Sequence, residues 1–233
     1  MSEIISGIIG SLIASALWAV GLMIYTGTKG FPGIRISYRL LNDCRKAGII
    51  NIFPNRRAYI EHKDHGTASE YIMNVKSHLL YVGFWLSGST EIGSVVIALK
   101  KLVLSNVKVC IVFIDPADDM ILQTCSKFLG ISKEEIGDRV TASLTKIQNL
   151  QQELPEEYKK YLEIKTHNVP LTASAFLLDY FDKGVCRILV DYKTYGFTRE
   201  DSYGIEYKNS DKCLCGLLCK SYCKIADHAK KIE

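Results

Sequence analysis

An uncharged run of 22 residues, Ile4–Tyr25, constrains this chain more than any other feature. At ~1.5 Å rise per residue, a helix of this run is about 33 Å long, enough to cross a hydrocarbon core of roughly 30 Å. A secretory signal peptide is disfavoured because the start Met1-Ser2-Glu3 is acidic and the apolar run is too long. A buried core helix is disfavoured because a large domain would have to cover it on every side. The sequence therefore predicts a transmembrane helix at residues 4–25.

The charges that follow the run predict its orientation. Basic residues come soon after it, at Lys29, Arg35, Arg39, Arg45 and Lys46. Because positively charged residues near a span tend to stay in the cytoplasm, we expect a single-pass protein of the cell inner membrane with a cytoplasmic C-terminal domain. The eight cysteines agree with this location, since the cytoplasm keeps cysteines as thiols. The lipid bilayer is then the first expected partner.

Small residues recur on one face of the predicted span. Ser6, Gly10 and Ala14 follow one another at a spacing of four. Small residues at this spacing let helix backbones approach each other, which is how membrane spans associate. The alternative is that glycine and alanine are simply common in spans. The pattern thus favours a homo-oligomer through the transmembrane helix and leaves the alternative open.

Composition limits what the rest of the chain is. Residues 26–48 read as a linker and juxtamembrane helix, with three glycines in Thr26–Gly33 and a helical pattern over Ile34–Ala47. Residues 49–233 suit one domain with a full core. Charged residues make up 23% of the chain and the net charge is only +4, with both signs interspersed. This is not the charge signature of a nucleic-acid-binding protein.

Beyond Gly48, apolar stretches of strand type alternate with helical patterns. Strands are predicted at Ile49–Phe53, Leu79–Phe84, Val107–Ile114, Leu162–Thr166, Ala173–Asp179 and Val185–Asp191. Helices are predicted at Thr67–Ser77, Thr90–Leu104, Asp118–Leu129, from the capping box of Ser132 and Glu135 onward, and from about Leu214 to Ile232. Strand, helix and strand in succession imply a parallel crossover, whereas a tight turn at Asp182-Lys183-Gly184 implies a hairpin. The sequence therefore predicts an α/β domain with a mixed sheet.

The order of these elements carries a resemblance. Tyr81-Val82-Gly83 follows a helix, Val109–Pro116 follows the next one, and a strand ends in Asp179 before a turn. In these features residues 50–232 resemble one half of the phospholipase D superfamily. The resemblance implies a phospholipase D-like fold and a site built on His-x-Lys-(x)4-Asp. In that family the histidine attacks phosphorus, the lysine binds phosphate and the aspartate supports the site.

This chain departs from the family pattern. The spacing places Thr172 at the histidine position, Ser174 at the lysine position and Asp179 at the aspartate position, so that only the aspartate matches. Neither hydroxyl replaces an imidazole nucleophile or a phosphate-binding ammonium. The pattern thus favours a domain that binds, oligomerises or senses over an enzyme, without excluding an enzyme.

Candidate ligand-binding residues follow from the predicted strand ends. The segment Trp85–Ser89 and Asp115 come after neighbouring strands, where open α/β sheets place their ligands. The predicted ligand-binding set is Ser87, Ser89, Asp115, His167, Ser174 and Asp179. The alternative for Ser89 is that it, or Thr90, caps a plain strand-to-helix turn. Gly83, Gly88 and Gly93 match neither phosphate-loop pattern, and we expect no cofactor.

Three further patterns have two interpretations each. Arg57 and His62 have the Arg-(x)4-His spacing of RNA-cleaving helical domains, but an exposed basic turn is the simpler reading. His62 and His65 read as a solvated loop that would need a third ligand to hold a metal. The cysteines near the end either bind zinc or form the buried face of a helix, and they are Cys213, Cys215, Cys219 and Cys223. Overall we expect no metal site.

Taken together, the span and the degenerate motif favour a membrane-anchored sensor or effector. This architecture resembles the small membrane effectors of prokaryotic antiphage defence, which implies an antiviral role in which assembly compromises the membrane, with a nucleotide signal or a defence-system protein as partner. One alternative is a membrane-tethered phosphodiesterase or nuclease that uses His167, Asp179 and Ser174. The other is an anchored adaptor with no small ligand.

Overall fold

The computed structural model describes residues 32–62, 65–86, 89–193, 202–209 and 211–232. The chain divides into two compact units, Met1–Lys46 and Ala47–Glu233. Before the second unit, helix α1 spans Pro32–Ala47 and places Arg45 and Lys46 in its last turn, where cations offset the negative end of the helix dipole. Among the described helices, none is both long enough and apolar enough to cross a membrane. The predicted span, with Ser6, Gly10 and Ala14, lies outside the described residues.

A mixed sheet of eight strands forms the framework of the second unit. The strands are β1 Ile49–Phe53, β2 His78–Gly83, β3 Lys108–Ile114, β4 Leu162–His167, β5 Ala173–Leu178, β6 Arg187–Tyr192, β7 Tyr203–Lys208 and β8 Lys230–Lys231. Their spatial order is β1-β7-β6-β5-β2-β3-β4-β8. Strands β2, β3 and β4 are parallel to one another, while β5 pairs antiparallel with β2 and begins an antiparallel run through β6 and β7 to β1. The predicted mixed α/β sheet is therefore confirmed.

Helices cover both faces of this sheet. They are α2 Arg56–Ile60, α3 Ala68–Ile72, α4 Ser89–Leu104, α5 Asp119–Leu129, α6 Lys133–Glu153, α7 Glu156–Lys159 and α8 Cys213–His228. Helices α4 and α6 pack on one face and bury a core that includes Leu99, Val140 and Ile111. Helix α8 packs on the other face over a core that includes Val82 and Ile188. The strands are apolar on both faces because both are covered.

Local signals in the sequence set several helix ends. The Asp118 carboxylate accepts from the main-chain N–H groups of Met120 and Ile121 and begins α5, which ends at Gly130 in the left-handed region at φ 70°. Ser132 accepts from the N–H of Glu135 at 3.1 Å and begins α6. The predicted starts of these two helices are therefore confirmed.

The helix predicted at Thr67–Ser77 is shorter than expected. Thr67 is its N-cap. In a capping box, the Thr67 hydroxyl accepts from the Glu70 N–H, and the Glu70 carboxylate accepts from the Thr67 N–H. The helix nevertheless ends at Ile72, where the Asn74 side chain donates to the carbonyl oxygens of Glu70 and Tyr71. An asparagine that binds main-chain carbonyls in this way competes with the continuing helix.

The predicted hairpin between β5 and β6 is confirmed. The two strands pair antiparallel, and the Val185 N–H donates to Asp182 O at 3.3 Å across the predicted turn, within a connection of residues 179–186. Two features at the end of the chain differ from the prediction. The C-terminal helix ends at His228, and the residues after it form β8 against β4. Strand β7 was not predicted, although its residues alternate between apolar and polar side chains.

The clustered cysteines of α8 lie mostly in the core. Cys215 and Cys219 are buried against the sheet, as the alternative of a buried helix face requires. In the part of the chain that the structure describes, no group of three or more His, Cys, Asp and Glu side chains is arranged to hold a metal ion.

Candidate functional site

The strand directions bring several of the predicted residues to one edge of the sheet. The carboxyl ends of β2, β3 and β4 lie at this edge, and so does the start of β5, because β5 runs antiparallel to β2. Ser174 lies near the start of β5, directly opposite Asp191 of β6. We call Tyr81, Gly83, Ser174, Asp191 and Lys193 the edge cluster.

Gly83 is needed for the close packing of the edge cluster. A Cβ atom at this position would lie 2.4 Å from Tyr81 Oη and 2.7 Å from Ser174 Oγ. Both hydroxyl groups therefore flank the same point on β2. The Tyr81 hydroxyl donates to the carbonyl oxygen of Trp85 at 2.9 Å, which fixes the chain as it leaves the strand.

An acid and a base face Ser174 from the neighbouring strand. The Lys193 ammonium donates to Asp191 Oδ2, and both side chains are largely buried. Asp191 Oδ1 is buried without a hydrogen-bond partner among the described residues. Lys193 lies opposite Thr172, whose carbonyl oxygen accepts from the Lys193 N–H at 2.9 Å, and its ammonium is held by a carboxylate. The pair is close to neutral, which weakens its attraction for a phosphate group.

Asp179 lies at the other end of β5. It comes five positions after Ser174, which corresponds to about 17 Å of extended chain at ~3.4 Å per residue. Its carboxylate accepts from the main-chain N–H groups of Lys76, Ser77 and His78 and from the Ser77 hydroxyl, at 2.7 to 3.3 Å. Its own backbone is left-handed at φ 50°. Asp179 therefore fastens the segment before β2 to the end of β5 and does not join Ser174 in one site.

The hydrogen bonds to Asp179 determine its protonation. Burial acts to raise the pKa of this carboxyl group, but the hydrogen bonds from Ser77, Lys76 and His78 outweigh burial and hold the pKa below its ordinary value. Asp179 is therefore ionised at neutral pH, and its negative charge is stabilised by main-chain N–H groups of the domain.

His167 lies on β4, apart from the edge cluster. Strands β2 and β3 separate β4 from β5, so that three strand spacings of ~4.8 Å put the two strands about 14 Å apart. His167 Nδ1 accepts from the Val169 N–H at 3.1 Å, and Nε2 is buried without a partner in the described part of the chain. Burial lowers the pKa of this imidazole to about 4. His167 is therefore neutral at pH 7.

The low pKa of His167 predicts a loss of stability in mild acid. The unfolded chain takes up this proton below about pH 6.5, whereas the folded chain takes it up only near its pKa of about 4. The free energy of unfolding should thus fall by about 2 kcal/mol between pH 7 and about pH 5. Denaturant unfolding of His167→Gln at both pH values should show this difference removed. The same change at the exposed His228 should leave it in place.

The remaining predicted residues divide into two groups. Asp115 follows β3, accepts from the Ala117 N–H at 2.9 Å and lines a cavity of about 480 Å³ together with Thr166. Ser87 lies outside the described residues. Ser89 begins α4, but its side chain also lies outside the description. The structure thus brings Ser174 to the edge cluster and leaves Asp179 at the opposite end of β5. It places Asp115 beside His167, with the Asp115 N–H donating to His167 O at 2.8 Å.

The Arg-(x)4-His spacing does not form a site here. Arg57 Nε donates to Glu61 Oε1 at 2.6 Å on an exposed surface. The His62 ring packs edge-on against Phe53, with ring centroids 5.6 Å apart. This arrangement agrees with the simpler reading of an exposed basic turn at Arg57.

A buried polar cluster was missed by the sequence analysis. The Glu206 side chain of β7 is fully buried, and its carboxylate accepts hydrogen bonds from four side chains. The donors are His65 Nε2 at 2.6 Å, Asn51 Nδ2 at 2.7 Å, Arg187 Nε at 2.7 Å and the Tyr71 hydroxyl at 3.4 Å. Arg187 Nη2 adds a contact of 2.5 Å. We call these five residues the Glu206 cluster. His65, which the sequence suggested to be in a solvated loop, is in fact buried and stacks on Tyr71 at 4.9 Å.

The Glu206 cluster keeps its carboxylate charged inside the domain. Burial acts to raise the pKa of Glu206, but the hydrogen bonds from His65 and Asn51 and the charge of Arg187 hold it below its ordinary value. Burial first, and then the nearby Glu206 charge, raise the pKa of Tyr71 well above its ordinary value. The only sequence signal was an acidic residue between Ile205 and Tyr207 in a stretch with strand alternation.

Comparisons with known proteins show likeness at the level of fold. No protein-family model matches the chain, and no curated protein is significantly similar in sequence. Similar solved structures include Nuc, a phospholipase D family member from Salmonella typhimurium, at 12% identity over 71% of this chain and 88% of Nuc, with a TM-score of 0.44. Phosphatidylserine synthase from Haemophilus influenzae Rd KW20 is 12% identical over 70% of this chain and 36% of its own, with a TM-score of 0.44.

A third similar structure is TrmBL2, an archaeal chromatin protein described with a novel mode of DNA binding. It is 11% identical over 99% of this chain and 66% of its own length, with a TM-score of 0.46. This chain therefore spans just under two thirds of TrmBL2 and about a third of the phosphatidylserine synthase.

Proposed function

We propose that this chain is a single-pass, membrane-anchored sensor or effector whose phospholipase D-like domain binds a ligand or partner without cleaving a phosphodiester. The observation that carries the proposal is the side chain at Ser174, where the catalytic pattern has its lysine. The Ser174 hydroxyl lies with the Tyr81 hydroxyl around Gly83, and the Lys193 ammonium is bound to Asp191.

The chemistry of the edge cluster supports the same conclusion. A serine hydroxyl becomes a nucleophile when an adjacent base takes its proton. His167 lies about 14 Å away across two strands, and its Nδ1 already accepts from Val169. Asp191, the nearest acid, is paired with Lys193. These distances and pairings support a binding role over hydrolysis by Ser174, His167 and Asp179.

The sequence supplies the membrane part of the proposal. Ile4–Tyr25 has the length and composition of a span, and Ser6, Gly10 and Ala14 offer a face for self-association. A domain that senses an event in the cytoplasm and changes the assembly of its spans would suit an effector that compromises the membrane in prokaryotic antiviral defence. The resemblance to small antiphage membrane effectors motivates this role.

Substitutions in the span test the proposal. Gly10→Leu and Ala14→Leu should each shift the full-length protein in detergent from oligomer to monomer, because a large side chain keeps helix backbones apart. Dye release from cells that express each variant should fall to the level of cells without the protein. Ala19→Leu adds the same bulk as Ala14→Leu but on the side of the helix opposite Gly10, so it is the matched control.

Two results would count against the proposal. Unchanged assembly and dye release in both span variants would remove the effector role. Hydrolysis of a phosphodiester or nucleic-acid substrate that disappears in Ser174→Ala and His167→Ala would establish the tethered phosphodiesterase or nuclease instead.

A further inference from the structure

Helix α1 presents apolar and polar side chains on opposite faces. With ~3.6 residues per turn, Leu40, Leu41 and Cys44 fall on one face. The opposite face is polar, and its members are Arg39, Asn42 and Lys46. Leu40 is 62% exposed and Leu41 is 69% exposed, so the apolar face is open. Adjacent exposed leucines on a helix indicate an interaction surface.

The charge of α1 favours an anionic lipid surface as the partner. The helix carries one acidic side chain, Asp43, and four cationic ones. The cationic residues are Arg35, Arg39, Arg45 and Lys46. Helices that lie in a membrane interface combine leucines on one face with lysine and arginine on the other. The acyl chains take up the leucines, and the long basic side chains reach the anionic head groups.

The sequence also places α1 close to the predicted span. Helix α1 begins at Pro32, seven residues after Tyr25, where the predicted span ends. Seven residues reach at most about 25 Å when fully extended, at ~3.6 Å per residue. A helix tethered within this distance meets the lipid surface at a high effective concentration, which favours binding even by a short helix.

We propose that α1 lies flat on an anionic membrane surface, with Leu40 and Leu41 inserted between the acyl chains and Arg39 and Lys46 among the lipid head groups. The inference deepens the proposed membrane anchoring and rests on it. It adds a lipid-binding surface whose strength depends on salt and on lipid charge, a dependence that an apolar span does not have.

A fluorescent label at each of two positions tests the orientation of α1. An environment-sensitive fluorescent amino acid replaces Leu40 or, as the matched control, Asn42 in the full-length protein in vesicles of phosphatidylcholine and phosphatidylglycerol. Both side chains are exposed, so neither label disturbs the core. Lipids brominated on their acyl chains should quench the label at position 40 at least about threefold more than the label at position 42, because only position 40 faces the acyl chains.

The role of charge is tested with the label at position 40. Arg39→Glu with Lys46→Glu should reduce the quenching toward the level at position 42, because the anionic head groups then repel the helix. Lys127→Glu with Lys183→Glu makes the same change of charge at exposed lysines outside α1 and should leave the quenching unchanged. High salt should reduce the wild-type quenching, and so should vesicles of phosphatidylcholine alone.

Three outcomes overturn the lipid-binding surface. The first is equal quenching at positions 40 and 42, and the second is quenching that Arg39→Glu with Lys46→Glu leaves unchanged. The third is a label at position 40 that is shielded from aqueous iodide but not reached by brominated lipid, which would identify a protein surface as the partner.

The membrane anchor fails separately from this surface. If alkaline carbonate removes the wild-type protein from the vesicles, and the label at position 40 is quenched before that extraction, the span is lost and the surface stands. If the protein resists carbonate while positions 40 and 42 are quenched equally, the anchor stands and the surface is overturned.

Discussion

Replacing Glu206 with Gln is expected to lower the free energy of unfolding by about 3–5 kcal/mol. The substitution removes the negative charge that the Arg187 guanidinium and the His65 imidazole contact inside the domain. It also puts an amide donor where several donors already converge. Because the carboxylate is fully buried, water cannot replace the lost interactions. Urea unfolding followed by circular dichroism measures the effect.

Glu163→Gln is the matched control for this change. Glu163 is also a strand glutamate beside a cation, with Lys165 Nζ at 3.3 Å, but its side chain is 41% exposed. Its substitution should cost less than about 1 kcal/mol. The double variant Glu206→Gln with Arg187→Met should lose less stability than Glu206→Gln alone, because the guanidinium that faced the lost carboxylate charge is removed with it. A loss below about 1 kcal/mol in Glu206→Gln would show that the cluster does not stabilise the fold.

The stabilisation by Glu206 should depend on pH in a defined direction. Its pKa in the folded chain lies below the ordinary value of 4.5. A carboxylate of this kind contributes stability above its ordinary pKa and loses it as the pH falls through its folded pKa. The gap between wild type and Glu206→Gln should therefore be full at neutral pH and narrow in acid, below pH 4.5.

Asp179→Asn is expected to destabilise the domain by about 2–4 kcal/mol. The ionised carboxylate accepts from the main-chain N–H groups of Lys76, Ser77 and His78, and an amide offers one neutral oxygen and a repelling NH2 group in its place. Asparagine tolerates the left-handed backbone at this position, so the measurement isolates the charge. Asp179→Ala should cost more, because alanine adds backbone strain.

Asp182→Asn is the control in the same connection. The Asp182 side chain accepts from the Gly184 N–H at 3.1 Å and is exposed. Asp182→Asn should lower the free energy of unfolding by less than about 1 kcal/mol. If Asp179→Asn unfolds like the wild type, Asp179 is not the residue that holds the segment before β2 to the end of β5, contrary to what its hydrogen bonds indicate.

Strand and helix patterns predicted much of the sheet. The parallel crossovers of β2, β3 and β4 could be read from apolar runs separated by helical periodicity, because local side-chain spacing reflects which faces are buried. The strand that ends at Asp179 was also visible. The role of Asp179 was not, because its partners are about 100 residues earlier and only the folded sheet brings them together.

The Glu206 cluster was even less predictable from the sequence, because its members are also distant along the chain. Its members come from three distant segments, at Asn51, at His65 and Tyr71, and at Arg187 and Glu206. Each is unremarkable beside its neighbours in sequence. A glutamate at a polar position of a strand normally faces solvent. Glu206 is instead buried, as are Tyr71 and Phe53 from other segments of the chain.

Strand β8 has a consequence for solubility. It consists of Lys230 and Lys231, both exposed, and it pairs with the outer side of β4. A second sheet that joined this edge would have to accept two ammonium groups against its own main chain, and short, lysine-bearing edge strands discourage such joining. Fibre growth through β4 is therefore disfavoured even at high protein concentration.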